Sequence, residues 1–174
     1  MRSSLLFWDD YDMSDVSVLP GTLAVRNLFE DLLGREVTVS PGDPISAEEI
    51  ATATVAIFTD TSQKVYGVLG MDLPLAANAG AALGLLPAGA AEDSIDEKQL
   101  FPNLAENVFE LCNVFTSLLN KEGSPHLKLY QVIYPGDPLP NDARALLLAL
   151  GRRVDLKVEV NRYGGGKLSL SVAH

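Results

Sequence analysis

Apolar residues along this chain follow two rhythms, one of period near 3.6 and one of period 2. In "GTLAVRNLFEDLLG", Gly21 to Gly34, Leu23, Leu28 and Leu32 with their neighbours fall at helical spacing, and Gly34 suits a C-terminal cap. "REVTVSPGDP" predicts a short strand and then a turn. "ATATVAIFT" and "KVYGVLGM" place β-branched and aromatic residues on both sides of the polar "DTSQ", which predicts an antiparallel hairpin. "DLPLAANAGAALGLL" predicts a helix whose small residues permit close approach to a neighbour. "PAGAAEDS" reads as a loop, with Ser94 and Glu97 at capping-box spacing for a short helical turn to Phe101. Pro102 then opens a long helix that runs to about Asn120 or Lys121. "HLKLYQVIY" predicts a strand, "PGDPLPND" an exposed loop and "ARALLLALG" a short apolar helix. "RVDLKVEVNRY" and "KLSLSV" alternate in character and form a second hairpin, with the intervening "GGG" as its turn.

Strands grouped in this way give a largely antiparallel sheet with long helices packed on it, an α+β fold. A helix followed by strands occurs twice, without the self-similarity of a sequence repeat. No linker divides the chain. The expected organisation is an acidic N-terminal tail over residues 1–15 and a single domain over 16–174.

Composition narrows the function. A chain of 174 residues, 47% hydrophobic and 21% charged, is large enough to bury a core. Its formal net charge of −10 argues against nucleic acid and against acidic membrane surfaces as partners. Cys112 is the single cysteine, so neither an intrachain disulfide nor a thiolate zinc cluster can form, and two histidines offer little for metal binding. No apolar run reaches the roughly 18 residues needed to span a bilayer, and the patch in "MRSSLLFWDD" is too short for a secretory signal. A cytoplasmic location is therefore expected. The Asp cluster in "DDYDMSD" lacks the glycine and the later glutamate of a calcium loop. "NRYGGGKLSL" lacks the Gly-Lys-Ser/Thr ending of a phosphate loop, and both Pro-Gly-Asp-Pro strings read as turns.

The long helix, "LAENVFELCNVFTSLLN", is the informative stretch. At about 100° per residue, Glu106, Glu110, Asn113 and Ser117 fall in one narrow stripe. Leu104, Val108, Leu111, Phe115, Leu118 and Leu119 lie opposite, Cys112 at their edge as a buried inert thiol, and Phe109 and Val114 flank the stripe. A solvated helix face normally carries Lys or Arg four residues from a Glu. Here two carboxylates sit four apart with no cation to relieve them, at a cost of a few tenths of a kcal/mol. Two readings stay open from composition alone: a wet surface, or a functional stripe.

The run Glu106-x-x-x-Glu110-x-x-Asn113 resembles the signature of the CheC/CheX/FliY family of chemotaxis phosphatases, in which Asp or Ser is followed after three residues by Glu and after two more by Asn. The order of elements around it resembles that family too, over about residues 16–174. The resemblance implies a CheC/CheX-like fold and hydrolysis of the aspartyl phosphate of a CheY-like response regulator. Asn113 would then orient the attacking water, and Glu110 would contact the regulator's lysine. Mg2+ would be bound by the receiver domain, and this chain would bind no cofactor of its own. Glu106 departs from the Asp or Ser of the pattern by its length; it and Ser117 are candidate partner contacts. The motif occurs once: Glu30 in "VRNLFEDLLG" has no Asn three residues on, and Asn78 has no preceding Glu. A single motif matches the CheX-like arrangement, whose members tend to be homodimers. A non-catalytic module that docks a receiver or another signalling protein is the alternative.

Overall fold

The computed structural model describes residues 19–120, 123 and 125–173, so the acidic tail expected over residues 1–15 lies outside the described residues. The elements run α1 (Thr22–Leu33), β1 (Val37–Pro41), a 3-10 turn (Glu49–Thr52), β2 (Thr54–Thr59), β3 (Val65–Met71), α2 (Leu73–Leu83), α3 (Ala88–Asp96), α4 (Pro102–Leu119), β4 (Lys128–Ile133), α5 (Asn141–Leu148), β5 (Arg153–Val160) and β6 (Gly164–Val172). The fold is α+β: one six-stranded sheet in the order β1-β5-β6-β3-β2-β4, antiparallel at every pairing, with helices on both faces.

Strand β2, between β3 and the edge strand β4, shows why the sequence folds this way. Ala56 and Phe58 enter the main core beneath α1, α2 and α4, while Val55 and Ile57 enter a second core with Ile45, Ile50, Ala143 and Leu147. Burial on both faces accounts for its continuous apolar run, where a half-exposed strand would alternate. Strand β5 does alternate, with Leu156, Val158 and Val160 inward and Lys157 and Glu159 exposed.

The sheet order conceals a pseudo-twofold. Exchanging α1-β1-β2-β3 with α4-β4-β5-β6 turns the strand order into its own reverse. Each half builds a hairpin, β2-β3 or β5-β6, but lends its other strand to the opposite half: β1 pairs with β5, and β4 with β2. Helices α1 and α4 are thus related positions.

Four local expectations need correction. "PAGAAEDS" is not a loop: α3 runs through it, packing Ala91 against Ala77, Ala81 and Leu104. Ser94 is no cap. It is buried within α3, where its hydroxyl donates to Gln99 O and accepts from Phe101 N at 3.4 Å. The glycine run is also misplaced. The hairpin turns at Asn161–Tyr163, with Arg162 at φ 71 and Tyr163 N donating to Val160 O at 3.0 Å, while Gly164, Gly165 and Gly166 belong to β6. Finally, the Pro-Gly-Asp-Pro strings differ. Pro135-Gly136 is a turn with Gly136 at φ 91, whereas Pro41 ends β1 and Gly42 lies so close to Lys157 N that a Cβ would stand 2.8 Å from it.

Candidate functional site

Helix α4 begins at Pro102, whose missing N–H costs nothing at the first helical position. Leu104, Val108, Leu111, Cys112, Phe115 and Leu119 are buried; each large aliphatic side chain so placed contributes about 1.5–3 kcal/mol. Burial pushes the Cys112 thiol up to about 12, which makes it an inert packing group. Leu118 was expected in this face but is only half-buried, because it turns toward α1. Two amides fix the helix in place. Asn107 Nδ2 donates to Gly80 O of α2 at 2.9 Å, and Gly80 lets the helices close, since a Cβ there would meet Leu104 O at 2.9 Å. Asn120 follows the last turn and holds Leu127 just before β4.

Glu106, Glu110, Asn113 and Ser117 are all exposed, along the face opposite the core. Among the described residues, no hydrogen bond or ion pair engages the side chains of Glu106, Glu110 or Asn113. The ion pairs formed there use Glu30, Glu49, Asp155 and Glu159 instead. Ser117 differs: its hydroxyl donates back to Val114 O at 2.8 Å, leaving only acceptor capacity outward. Helix α4 carries no Lys, Arg or His over its 18 residues, so the stripe is an uncompensated acidic edge with one amide in it.

Each side of the stripe has its own border. Toward α1, Val114, Ser117 and Leu118 face Ala24, Asn27, Leu28, Asp31 and Leu32 across a groove of about 510 Å³. Toward the sheet edge, Pro102, Ala105, Glu106 and Phe109 meet Tyr134, just past the end of β4, at a second recess. Phe109 is 47% exposed. Phe109 flanks the stripe in the sequence pattern, whereas Tyr134 arrives from another element and carries no signal there.

The pseudo-twofold mate of α4 has no equivalent pair. Glu30 of α1 turns inward: its Oε2 accepts from Val37 N at 3.0 Å, and Arg26 Nε lies 3.8 Å from its Oε1. It is spent in joining α1 to β1. Asn78 is buried in α2 beside Gly164. Glutamate and asparagine one turn apart, facing solvent and unengaged, therefore occur on α4 and not on α1. Among the described residues no group of three or more His, Cys, Asp or Glu could hold a metal ion, and no helix is long and apolar enough to cross a membrane.

No family model matches this chain, and no curated protein matches its sequence. Solved structures do match. FliY of Thermotoga maritima aligns with a TM-score of 0.53 at 12% identity, over 93% of this chain and 88% of that one. CheX, from a CheX-CheY-BeF3-Mg+2 complex of Borrelia burgdorferi, aligns with a TM-score of 0.47 at 13% identity, over 85% of this chain and 92% of that one. The FliM middle domain of H. pylori gives 0.46 at 9%, over 87% and 84%. At such identities the likeness is one of fold, and the chain has the fold of FliY.

Proposed function

We propose that this chain is a CheX-like phosphatase that hydrolyses the aspartyl phosphate of a CheY-like response regulator. The observation that carries the reading is the pair Glu110 and Asn113, held one turn apart on a rigid helix with both side chains exposed and unengaged. An amide is suited to the task because it accepts from a water with its oxygen and donates with its nitrogen. Asn113 holds that water in line with the scissile bond. The water oxygen bonds to phosphorus as the P–O bond to the aspartyl carboxylate breaks; the carboxylate leaves as an anion and the water's proton passes to solvent. Glu110 pairs with the regulator's lysine and sets the register of docking, so that catalysis is positioning and electrostatics. The Mg2+ belongs to the receiver domain. Glu106 and Ser117 extend the contact along the helix. A homodimeric state and a cytoplasmic setting complete the reading.

The length of Glu106, one methylene beyond Asp, favours a second reading in which the same face docks a receiver without hydrolysis. One assay separates the two. Receiver domains from the same organism are phosphorylated with a small phosphodonor, and phosphate lifetime is followed with wild type, Asn113→Ala and Glu110→Gln. Shortening by wild type, lost in Asn113→Ala, supports the phosphatase. Binding of a receiver with unchanged phosphate lifetime supports the docking module, and equal acceleration by wild type and Asn113→Ala removes Asn113 from the mechanism.

A further inference from the structure

The recess on the sheet-edge side of the stripe has a volume of about 440 Å³ and is lined by Pro102, Ala105, Glu106, Phe109 and Tyr134. Tyr134 is fixed there at both ends. Its hydroxyl donates to Ala105 O at 3.3 Å, and its amide donates to Asp137 Oδ2 at 3.4 Å across the turn that carries Gly136. The phenol is thereby tied to α4 beside the half-exposed Phe109 ring. Glu106 stands at the rim, exposed, with no cation within ion-pair distance among the described residues. Asp137 adds a further carboxylate just beyond the wall, on a chain of net charge −10.

An aromatic wall with a carboxylate at its lip discriminates among occupants. An apolar side chain would cover the wall but leave Glu106 partly desolvated and unpaired. An acidic one would be repelled by Glu106 and Glu110. A small-molecule site would need several converging polar groups in a more enclosed cavity. A long basic side chain meets every requirement: its methylene stem covers apolar surface, its planar cation stacks on an aromatic face, and its charge pairs with the carboxylate. Arginine fits better than lysine, because the guanidinium stacks and can bind a carboxylate with two parallel bonds.

We propose that this recess is a subsite for an arginine side chain of the protein partner that docks on α4. The proposal rests on the reading of α4 as a partner-binding face and specifies that partner further. Glu106 lies about 6 Å along the helix axis from Glu110. A fitting partner therefore presents two cations at about that separation, a lysine at Glu110 and an arginine toward Pro102. The glutamate at position 106 acquires a reason on this account, since its extra methylene carries the carboxylate out to the recess.

The test is a titration of isotope-labelled protein with acetyl-Gly-Arg-Gly-amide, and with the peptide in which neutral citrulline replaces arginine, at constant ionic strength. Amide signals at Phe109 and Tyr134 are expected to shift with the arginine peptide. Binding is expected to weaken roughly three- to fivefold with citrulline, and by a similar factor in Glu106→Gln and in Phe109→Ala. Glu48→Gln, the same loss of charge at an exposed residue beside the 3-10 turn, should leave it unchanged. Equal response to both peptides, indifference to Glu106→Gln, or shifts confined to other surfaces would overturn the subsite. The phosphate-lifetime assay distinguishes this failure from failure of the functional reading. A protein that shortens phosphate lifetime but ignores the arginine peptide loses the subsite alone. One that binds the peptide at the recess yet accelerates no receiver keeps the subsite and loses the phosphatase.

Discussion

Gly166 of β6 lies directly beneath Asp72, the residue that caps α2. A Cβ on Gly166 would stand 2.6 Å from the Leu75 amide and closer still to Asp72 Oδ1, which accepts that amide's hydrogen bond at 2.9 Å. Relief would require movement of a helix N-terminus, not of a flexible side chain. Gly166→Ala is therefore expected to cost about 1–3 kcal/mol, read as a lower urea midpoint with the slope unchanged. Gly89, in the first turn of α3 with open space around it, is the control: Gly89→Ala should stabilise by up to about 0.5 kcal/mol.

Asp72 itself separates capping from charge. Burial raises its pKa above the ordinary carboxylate value, outweighing the bonds from the Leu75 and Lys167 amides that lower it. An acid whose folded pKa is raised favours folding fully at pH below its unfolded value, and this contribution is lost as pH rises through the folded one. Asp72→Asn keeps an acceptor for Leu75 N without the charge, so its stability relative to wild type should improve from acid toward neutral pH. Asp72→Ala should lose about 1 kcal/mol at neutral pH. Thermal melts across that range check both.

Asp155 gives the opposite slope. Partial burial pushes its carboxyl up, but the bonds from Arg153 at 2.8 and 2.9 Å and from Ser169 at 2.7 Å outweigh this and lower its pKa. Stability from this group is complete above the ordinary carboxylate value and is lost as pH falls through the lowered one. Asp155→Asn should flatten the acid limb of the stability profile. Ser169→Ala should also loosen Ile45, whose amide donates to that hydroxyl at 3.1 Å.

Asn120 brackets Leu127 with both ends of its amide, donating to the carbonyl and accepting from the N–H at 2.7 Å each. Asn120→Ala should cost about 1–3 kcal/mol and expose the Leu127 amide to hydrogen exchange. Asn120→Asp restores the acceptor only, and should recover protection of that amide without full stability.

The stripe residues should behave in the reverse manner. Glu106→Gln, Glu110→Gln and Asn113→Ala alter exposed side chains with no partner among the described residues, so each should change stability by less than about 0.5 kcal/mol. Any effect of these variants on receiver phosphate lifetime or on binding is then separable from unfolding, by comparing melts with those assays.

What the sequence made legible follows from how local each determinant is. Helix α4 was readable because its apolar face recurs over five turns, and exposure of Glu106, Glu110 and Asn113 followed from the angle alone. Strands β2 and β3 were readable from their β-branched runs. Helix α3 was not, because only Ala91 and Ser94 of it are buried and its packing surface is two alanines of α2 and Leu104. The glycines at 164–166 suggested a turn, since nothing nearby in sequence reveals that Asp72 and Asn78 press on them. The recess beside Phe109 was hidden for the same reason: its far wall is Tyr134, brought in by β4.

The exchanged outer strands bear on how the chain can be made and cut. Val37 finds its partner only in Val160, and Val55 completes its pairing only with Ile133. Neither half, synthesised alone, can saturate its own hairpin, so β1 must wait for β5 to leave the ribosome. A nick in the α2–α4 connections should leave two fragments that recognise each other as complementary halves, while either fragment by itself offers an open sheet edge to aggregation.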